Sequence, residues 1–119
     1  MKISVVVPVH NETENVDSLI AEIAQALSSQ EAYEMIFVDD GSRDDTLEKL
    51  KQAMLRYPEL RVLQHAKSCG QSRAVHTGVL AALYPWIATL DGDGQNDPAD
   101  IPNLVAAFEA QCVANGWTK

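Results

Sequence analysis

Asp91-Gly92-Asp93-Gly94-Gln95 is the stretch whose residue types and spacing are best suited to chemistry. It ends an apolar run, Trp86 to Leu90, that is short and flanked by Pro85 and Gly92, so the run reads as a buried strand rather than a helix. If the extended geometry continues to the end, Asp91 and Asp93 point the same way, because strand side chains alternate with period two. Two carboxylates at a strand mouth can share a hard divalent cation, which then fills its shell with water and a substrate's phosphates. Gly92 and Gly94 leave room for a ligand to approach the backbone. The competing reading is a plain polar turn, since Asp and Gly are both favoured in turns.

The elements that must position these acids follow from the apolar pattern. Ile3 to Val7 is a β-branched run that predicts a strand. It leads into the polar loop Pro8-Val9-His10-Asn11-Glu12. Val16, Leu19, Ile20, Ile23 and Leu27 then recur at helical spacing, with Asn11 or Thr13 as expected N-caps. Met35 to Val38 is a second strand that also ends in acid, at Asp39 and Asp40. Asp44 or Asp45 is expected to cap a second helix that buries Leu47, Leu50, Met54 and Tyr57 and stops at Pro58. Leu60 to Leu63 predicts a third strand, and Ser68-Cys69-Gly70-Gln71 a loop into a third helix on Ala74, Val75, Val79 and Ala82. A last helix is expected from Pro98 to Gln111, with Ile101, Leu104, Val105 and Phe108 inward. Strict strand–helix alternation with strands apolar on both faces predicts a Rossmann-like three-layer α/β/α sandwich around a mainly parallel sheet.

Ligands of open parallel sheets bind outside the carboxyl ends of the strands. In this chain the first, second and fourth strands end in His10-Asn11-Glu12, Asp39-Asp40 and Asp91 through Gln95, and the third adds His65, Lys67 and, further on, Arg73. Arg73 reads more simply as a surface residue pairing with nearby carboxylates. Neither Gly-x-Gly-x-x-Gly nor Gly-x-x-x-x-Gly-Lys follows the first strand, which argues against a dinucleotide oxidoreductase or a P-loop nucleotidase. An acid-rich edge of this kind suits a metal-bridged nucleotide diphosphate.

Bulk properties narrow the classes further. The 119 residues suffice for one modest domain, and a hydrophobic content of 46% argues against disorder. A formal charge of −8 disfavours nonspecific binding to nucleic acid or to an anionic membrane. Cys69 and Cys112 form no metal-ligand spacing and read as reduced thiols. The apolar start is too short for a signal-peptide core, and the stretch from Val79 to Leu90 contains Pro85, so no membrane anchor is expected here.

Val7-Pro8-Val9-His10-Asn11-Glu12, Val38-Asp39-Asp40-Gly41-Ser42 and Asp91-Gly92-Asp93-Gly94-Gln95 together resemble the three ordered motifs of family-2 glycosyltransferases. The subgroup similar to dolichol-phosphate mannosyltransferase and bacterial polyprenyl-phosphate glycosyltransferases fits best, because Gln95-Asn96-Asp97-Pro98 continues its pattern. The resemblance implies a GT-A type fold and a nucleotide-diphosphate sugar donor. It places Pro8, His10 and Glu12 along base and ribose, Val38 and Asp40 at the base or ribose with Asp39 beside them, and Asp91 near the donor sugar. Asp93 and Gln95 would hold a divalent metal, Mn²⁺ or Mg²⁺, so that Asp91 and Asp93 carry the catalysis. His10 stands where the family commonly has Tyr.

The acceptor implied is a polyprenyl phosphate at the membrane surface, which suggests a cytoplasmic, membrane-peripheral protein in cell-envelope glycan synthesis. Family domains are about twice this length, so residues 1–119 are expected to be a single donor-binding half that stops before the acceptor-binding half. An uncovered apolar face that favours self-association is expected with it. Two rival readings are a binding fragment without transferase activity and a receiver-like or phosphatase domain. The second expects a key acid after the first strand, where Pro8 and His10 stand.

Overall fold

β1 (Lys2–Val9) lies between β2 (Ala32–Asp40) and β4 (Trp86–Thr89), with β3 (Leu60–His65) outside β2, giving the sheet order β3-β2-β1-β4. All three pairings are parallel. The computed structural model describes residues 2–91 together with Asn103 and Ala106. Of the expected helix from Pro98 to Gln111 only Asn103 and Ala106, both helical and exposed, are described; its other residues, and the acidic cluster beyond Asp91, lie outside the described residues.

Alternation sorts the strand side chains between two cores. Ile3, Val5, Val7 and Val9 of β1 and Met35 and Phe37 of β2 face α1 (Val16–Leu27) and α2 (Thr46–Ala53), where they meet Leu19, Ile20, Ile23 and Leu50. Val6, Ile36 and Val38 face the other way and meet Ala74 of α3 (Gln71–Ala81). The result is the expected α/β/α arrangement of helices on both faces of a parallel sheet.

Three local expectations are corrected. The N-cap of α1 is Asn15, because its N–H and that of Val16 both bond the Glu12 carbonyl and close a turn that delays the helix. Asn11 and Thr13 instead tie the β1–α1 loop to the loop before α2, through Arg43 N–H and Asp45. Asp45 is the N-cap of α2 without a side-chain cap bond, and α2 ends at Ala53, so Met54 is exposed rather than core. Val79 is likewise exposed, as are Leu80, Leu83 and Ile87, on the side where α3 alone among the described elements covers the sheet.

α3 is fastened at both of its ends. At the end of the sheet remote from the strand carboxyl termini, buried Glu34 of β2 accepts from Ser4 Oγ at 2.6 Å, Leu83 N–H at 2.6 Å and Arg61 Nη1 at 2.8 Å. Tyr84 N–H donates to Ser4 Oγ at 3.2 Å, so the α3–β4 connection is held by β1 and β2 together. Burial pushes the Glu34 carboxyl up, and the donors from Ser4, Leu83 and Arg61 outweigh it and hold the group below its usual value.

Gly78 is where α3 touches the sheet most closely. A Cβ there would lie 2.3 Å from Val6 Cγ1 and 3.2 Å from Val38 Cγ2. Gly78→Ala should therefore overpack the smaller core and cost about 1–3 kcal/mol of stability, measured by urea unfolding. An unfolding midpoint equal to wild type would contradict this close approach.

Candidate functional site

The two acids that end β2 point to opposite faces, and this decides what each can do. Asp39 is buried at 1% exposure on the α1/α2 side. Its Oδ1 accepts from Ser42 Oγ, which in turn accepts from Asn11 N–H at 2.9 Å. Its Oδ2 is buried without a hydrogen-bond partner among the described residues. Asp40 points to the α3 side and meets the turn that precedes that helix.

Asp40 binds that turn with all of its acceptor capacity. Oδ1 accepts from His65 Nδ1–H and Cys69 N–H, each at 2.8 Å. Oδ2 accepts from Gly70 N–H at 2.9 Å and Ser68 Oγ–H at 3.1 Å. Burial raises the Asp40 carboxyl, but the donors from Cys69, His65, Gly70 and Ser68 prevail and bring it down to about 2. Gly41 lets this loop come close: it sits at φ +69°, and a Cβ there would lie 2.5 Å from Ser68 N. The conformation disfavours an L side chain, and the backbone contact leaves no room for one.

The β1 end closes against the same group. His10 Nδ1 lies 2.7 Å from the Asp40 carbonyl, and since a carbonyl only accepts, the proton is on Nδ1. Nε2 then accepts from Asn11 Nδ2 at 3.3 Å. Asn11 stands at φ 53°, a left-handed conformation that Asn tolerates, and its Oδ1 accepts from Arg43 N–H at 2.8 Å. Glu12 anchors through its N–H to Thr46 Oγ1 at 3.0 Å and receives Asn15 Nδ2 on Oε2 at 2.7 Å.

These loops enclose a cavity of about 150 Å³ lined by Pro8, Val9, His10, Glu12, Asp40, Gln71 and Asp91. A second opening of about 460 Å³, lined in part by His10, Ser42, Arg43, Lys67 and Ser68, adjoins it at His10. The structure thus brings together Pro8, His10, Glu12, Asp40 and Asp91 from three strand ends. It does not bring in Val38 by its side chain, which is fully buried in the α3-side core, nor Asp39, which lies beneath the β2–α2 loop. Asp93 and Gln95 lie outside the described residues. Lys67 lines the second opening; Arg73 lines neither cavity and contributes its carbonyl to Thr77 Oγ–H.

Sequence reasoning gave no role to Gln71, whose Nε2–H donates to Asp91 Oδ1 at 2.7 Å. The sequence places it in the loop that leads into the third helix, whereas it is the first residue of α3, and its reach to Asp91 follows only from the fold. His65, expected at the third strand end, also bonds Asp40 Oδ1.

Asp40, His65 and Cys69 also bring oxygen, nitrogen and sulfur ligand atoms within 4.8 Å of one another. A soft divalent cation would have to displace bonds already made there. Nor is the trio an Asp–His–Cys catalytic arrangement: His65 Nδ1 faces Asp40, Nε2 faces Thr77 Oγ1 at 2.9 Å, and the thiol donates to the Lys67 carbonyl at 3.3 Å. No ring nitrogen is left to activate the sulfur.

The fold is that of GT-A glycosyltransferases. Glucosyl-3-phosphoglycerate synthase from Mycobacterium tuberculosis, solved with Mn²⁺ and UDP, superposes on 90% of this chain with a TM-score of 0.73 and 26% identity, over 39% of its own length. A mannosyltransferase from Pyrobaculum calidifontis, solved with GDP-mannose and Mn²⁺, shares the fold with a TM-score of 0.77 at 22% identity, over 87% of this chain and 31% of its own. The chain matches the Glycosyl transferase family 2 model over residues 4–117 and belongs to that family.

Among curated relatives, dodecaprenyl-phosphate galacturonate synthase of Rhizobium johnstonii is 38% identical over all of this chain and 36% of its own length. Dolichol-phosphate mannosyltransferase of Pyrococcus furiosus is 38% identical over 92% of this chain and 30% of its own. The chain thus spans about a third of the length of these relatives. No helix of the described residues is long and apolar enough to cross a membrane.

A group held at a pKa of about 2 by its native partners contributes stability above its unfolded value of 3.8, and this is lost as pH falls from about 4 to 2. The linked stability is on the order of 2 kcal/mol. Asp40→Asn turns a donor toward one of the N–H groups of Cys69 and Gly70 and should lower stability by about 2–3 kcal/mol at pH 7 while flattening the acid dependence below pH 4. Urea unfolding across pH 2–7 measures both effects. An equally steep acid limb in the variant would contradict the bonding described for Asp40.

Proposed function

We propose that this domain binds a nucleotide-diphosphate sugar at the carboxyl edge of its sheet, with a divalent metal, as the donor-binding part of a transferase that glycosylates a polyprenyl phosphate. The observation that carries the reading is the convergence of Pro8, His10, Glu12, Asp40 and Asp91, from three separate strand ends, on one cavity. Family membership supplies the reaction class, and the named activities of the curated relatives support the acceptor.

In this reading Pro8 and the His10 ring form the floor for base and ribose, and Glu12 accepts from hydroxyls. The β2 end, Val38 through Asp40, lines the base side, with Asp40 acting through the loop it fastens. Asp91 stands at the mouth nearest the donor sugar. Its carboxylate, on the edge where the Asp-x-Asp segment begins, is the hard oxygen chemistry that Mn²⁺ or Mg²⁺ prefers. Asp93 and Gln95 would hold that metal, which when bound neutralises charge on the departing nucleotide diphosphate. A phosphate acceptor is already anionic near neutral pH, so its attack on the sugar carbon needs no protein base. A lipid-linked acceptor places the protein at the surface of the membrane, on the cytoplasmic side where nucleotide sugars are made.

Calorimetric titration with GDP-mannose and UDP-N-acetylglucosamine, each with and without Mn²⁺, tests the proposal. One of the two should bind in a metal-dependent manner, and Asp93→Ala should lose about tenfold in affinity, or roughly 1.4 kcal/mol. Equal affinity with and without metal, in wild type and variant alike, would remove the metal from the reading. Incubation of the protein with labelled donor and polyprenyl phosphate then checks transfer.

A further inference from the structure

Gln71 is exposed at the first position of α3, yet its side chain is committed to the site. Its amide donates to Asp91 Oδ1 at 2.7 Å. Gln71 and Asp91 line the same cavity as Pro8 and Val9 at the end of β1, so this bond lies within the site. The backbone beside Gln71 is fixed from the opposite side, because Gly70 N–H donates to Asp40 Oδ2 at 2.9 Å. One carboxylate therefore sets the start of α3, and the first residue of α3 sets the other carboxylate.

We infer that Gln71 is a positioning residue that orients the Asp91 carboxylate toward the donor, an assignment that deepens the proposed function and rests on it. The chemistry of the donor group matters. An ammonium or guanidinium at this distance would neutralise Asp91 and compete with a cation for it. A primary amide fixes one carboxylate oxygen and leaves the negative charge in place for a metal-bridged diphosphate. Residues that hold a ligating carboxylate in place act on metal and ligand affinity without touching either. The side-chain length is also specific: Asn at this position is one methylene shorter and falls short of Oδ1.

The test uses Gln71→Met, which keeps the length and removes the donor. Two ligands are titrated: the nucleotide sugar that binds wild type with Mn²⁺, and the matching nucleoside monophosphate without metal. The expected result is a fivefold to tenfold loss, on the order of one hydrogen bond, for the nucleotide sugar and none for the monophosphate. A residue that merely supports the fold would weaken both equally, and that outcome, or no loss at all, overturns the inference. The pairing is checked separately by NMR, where the Gln71 side-chain amide resonances should shift in Asp91→Ala; unmoved resonances also overturn it. If wild type binds neither nucleotide sugar, the proposed function fails, while the NMR measurement still decides the Gln71–Asp91 pairing.

Discussion

The carboxylate of Asp40 is the constraint on which this edge of the molecule depends. It is buried, ionised and saturated by four donors from one short stretch of chain, His65 to Gly70. Burying a charge is costly unless it is hydrogen-bonded, and here every donor comes from the segment that joins β3 to α3. Two backbone N–H groups at the entrance of α3 are among them, where a negative charge also suits the helix dipole. The same residue's carbonyl takes the His10 proton, so a single β2 position holds the loops of β1 and β3 and the start of α3.

The far end of α3 repeats the device. Glu34 lies on the same face of β2 as Asp40, because the two are an even number of residues apart, and it accepts the N–H of Leu83 just beyond the helix. α3 is thus strapped to β2 by a carboxylate at each end and packed on Val6 through the bare Cα of Gly78. Such fastening matters because α3 alone among the described elements covers this face: Leu80, Leu83 and Ile87 are exposed, and among the described residues apolar burial contributes less here than on the α1/α2 side. Polar fastening, more than core area, fixes where α3 begins, and with it the position of Gln71 beside Asp91.

Much of this was legible in the residues themselves. The β-branched and apolar runs placed all four described strands and the three described helices, and the acids ending the strands marked the ligand edge, because a parallel sheet sends every strand's carboxyl end the same way. Local errors fell where tertiary contacts compete with local signals. Asn11 and Thr13 have the chemistry of helix caps, but partners on the loop before α2 claim them. Met54 keeps the helical spacing but lies past the last turn of α2. Val79 keeps it too, yet on a face that the sheet does not reach.

The alternating fold, the family resemblance and the residue types gathered at the carboxyl edge can all be read along the chain, from periodicity and from the order of the motifs. Which acid does what depends on packing. Asp39 and Asp40 are adjacent and identical in type, and alternation along the chain says that they face opposite ways but not which partners wait on each face. The fold puts one beneath the β2–α2 loop, with an oxygen that has no partner among the described residues, and the other into the turn before α3. Likewise the Gln71–Asp91 bond joins residues 20 positions apart, a meeting set by sheet order and helix placement, which no pattern along the chain encodes.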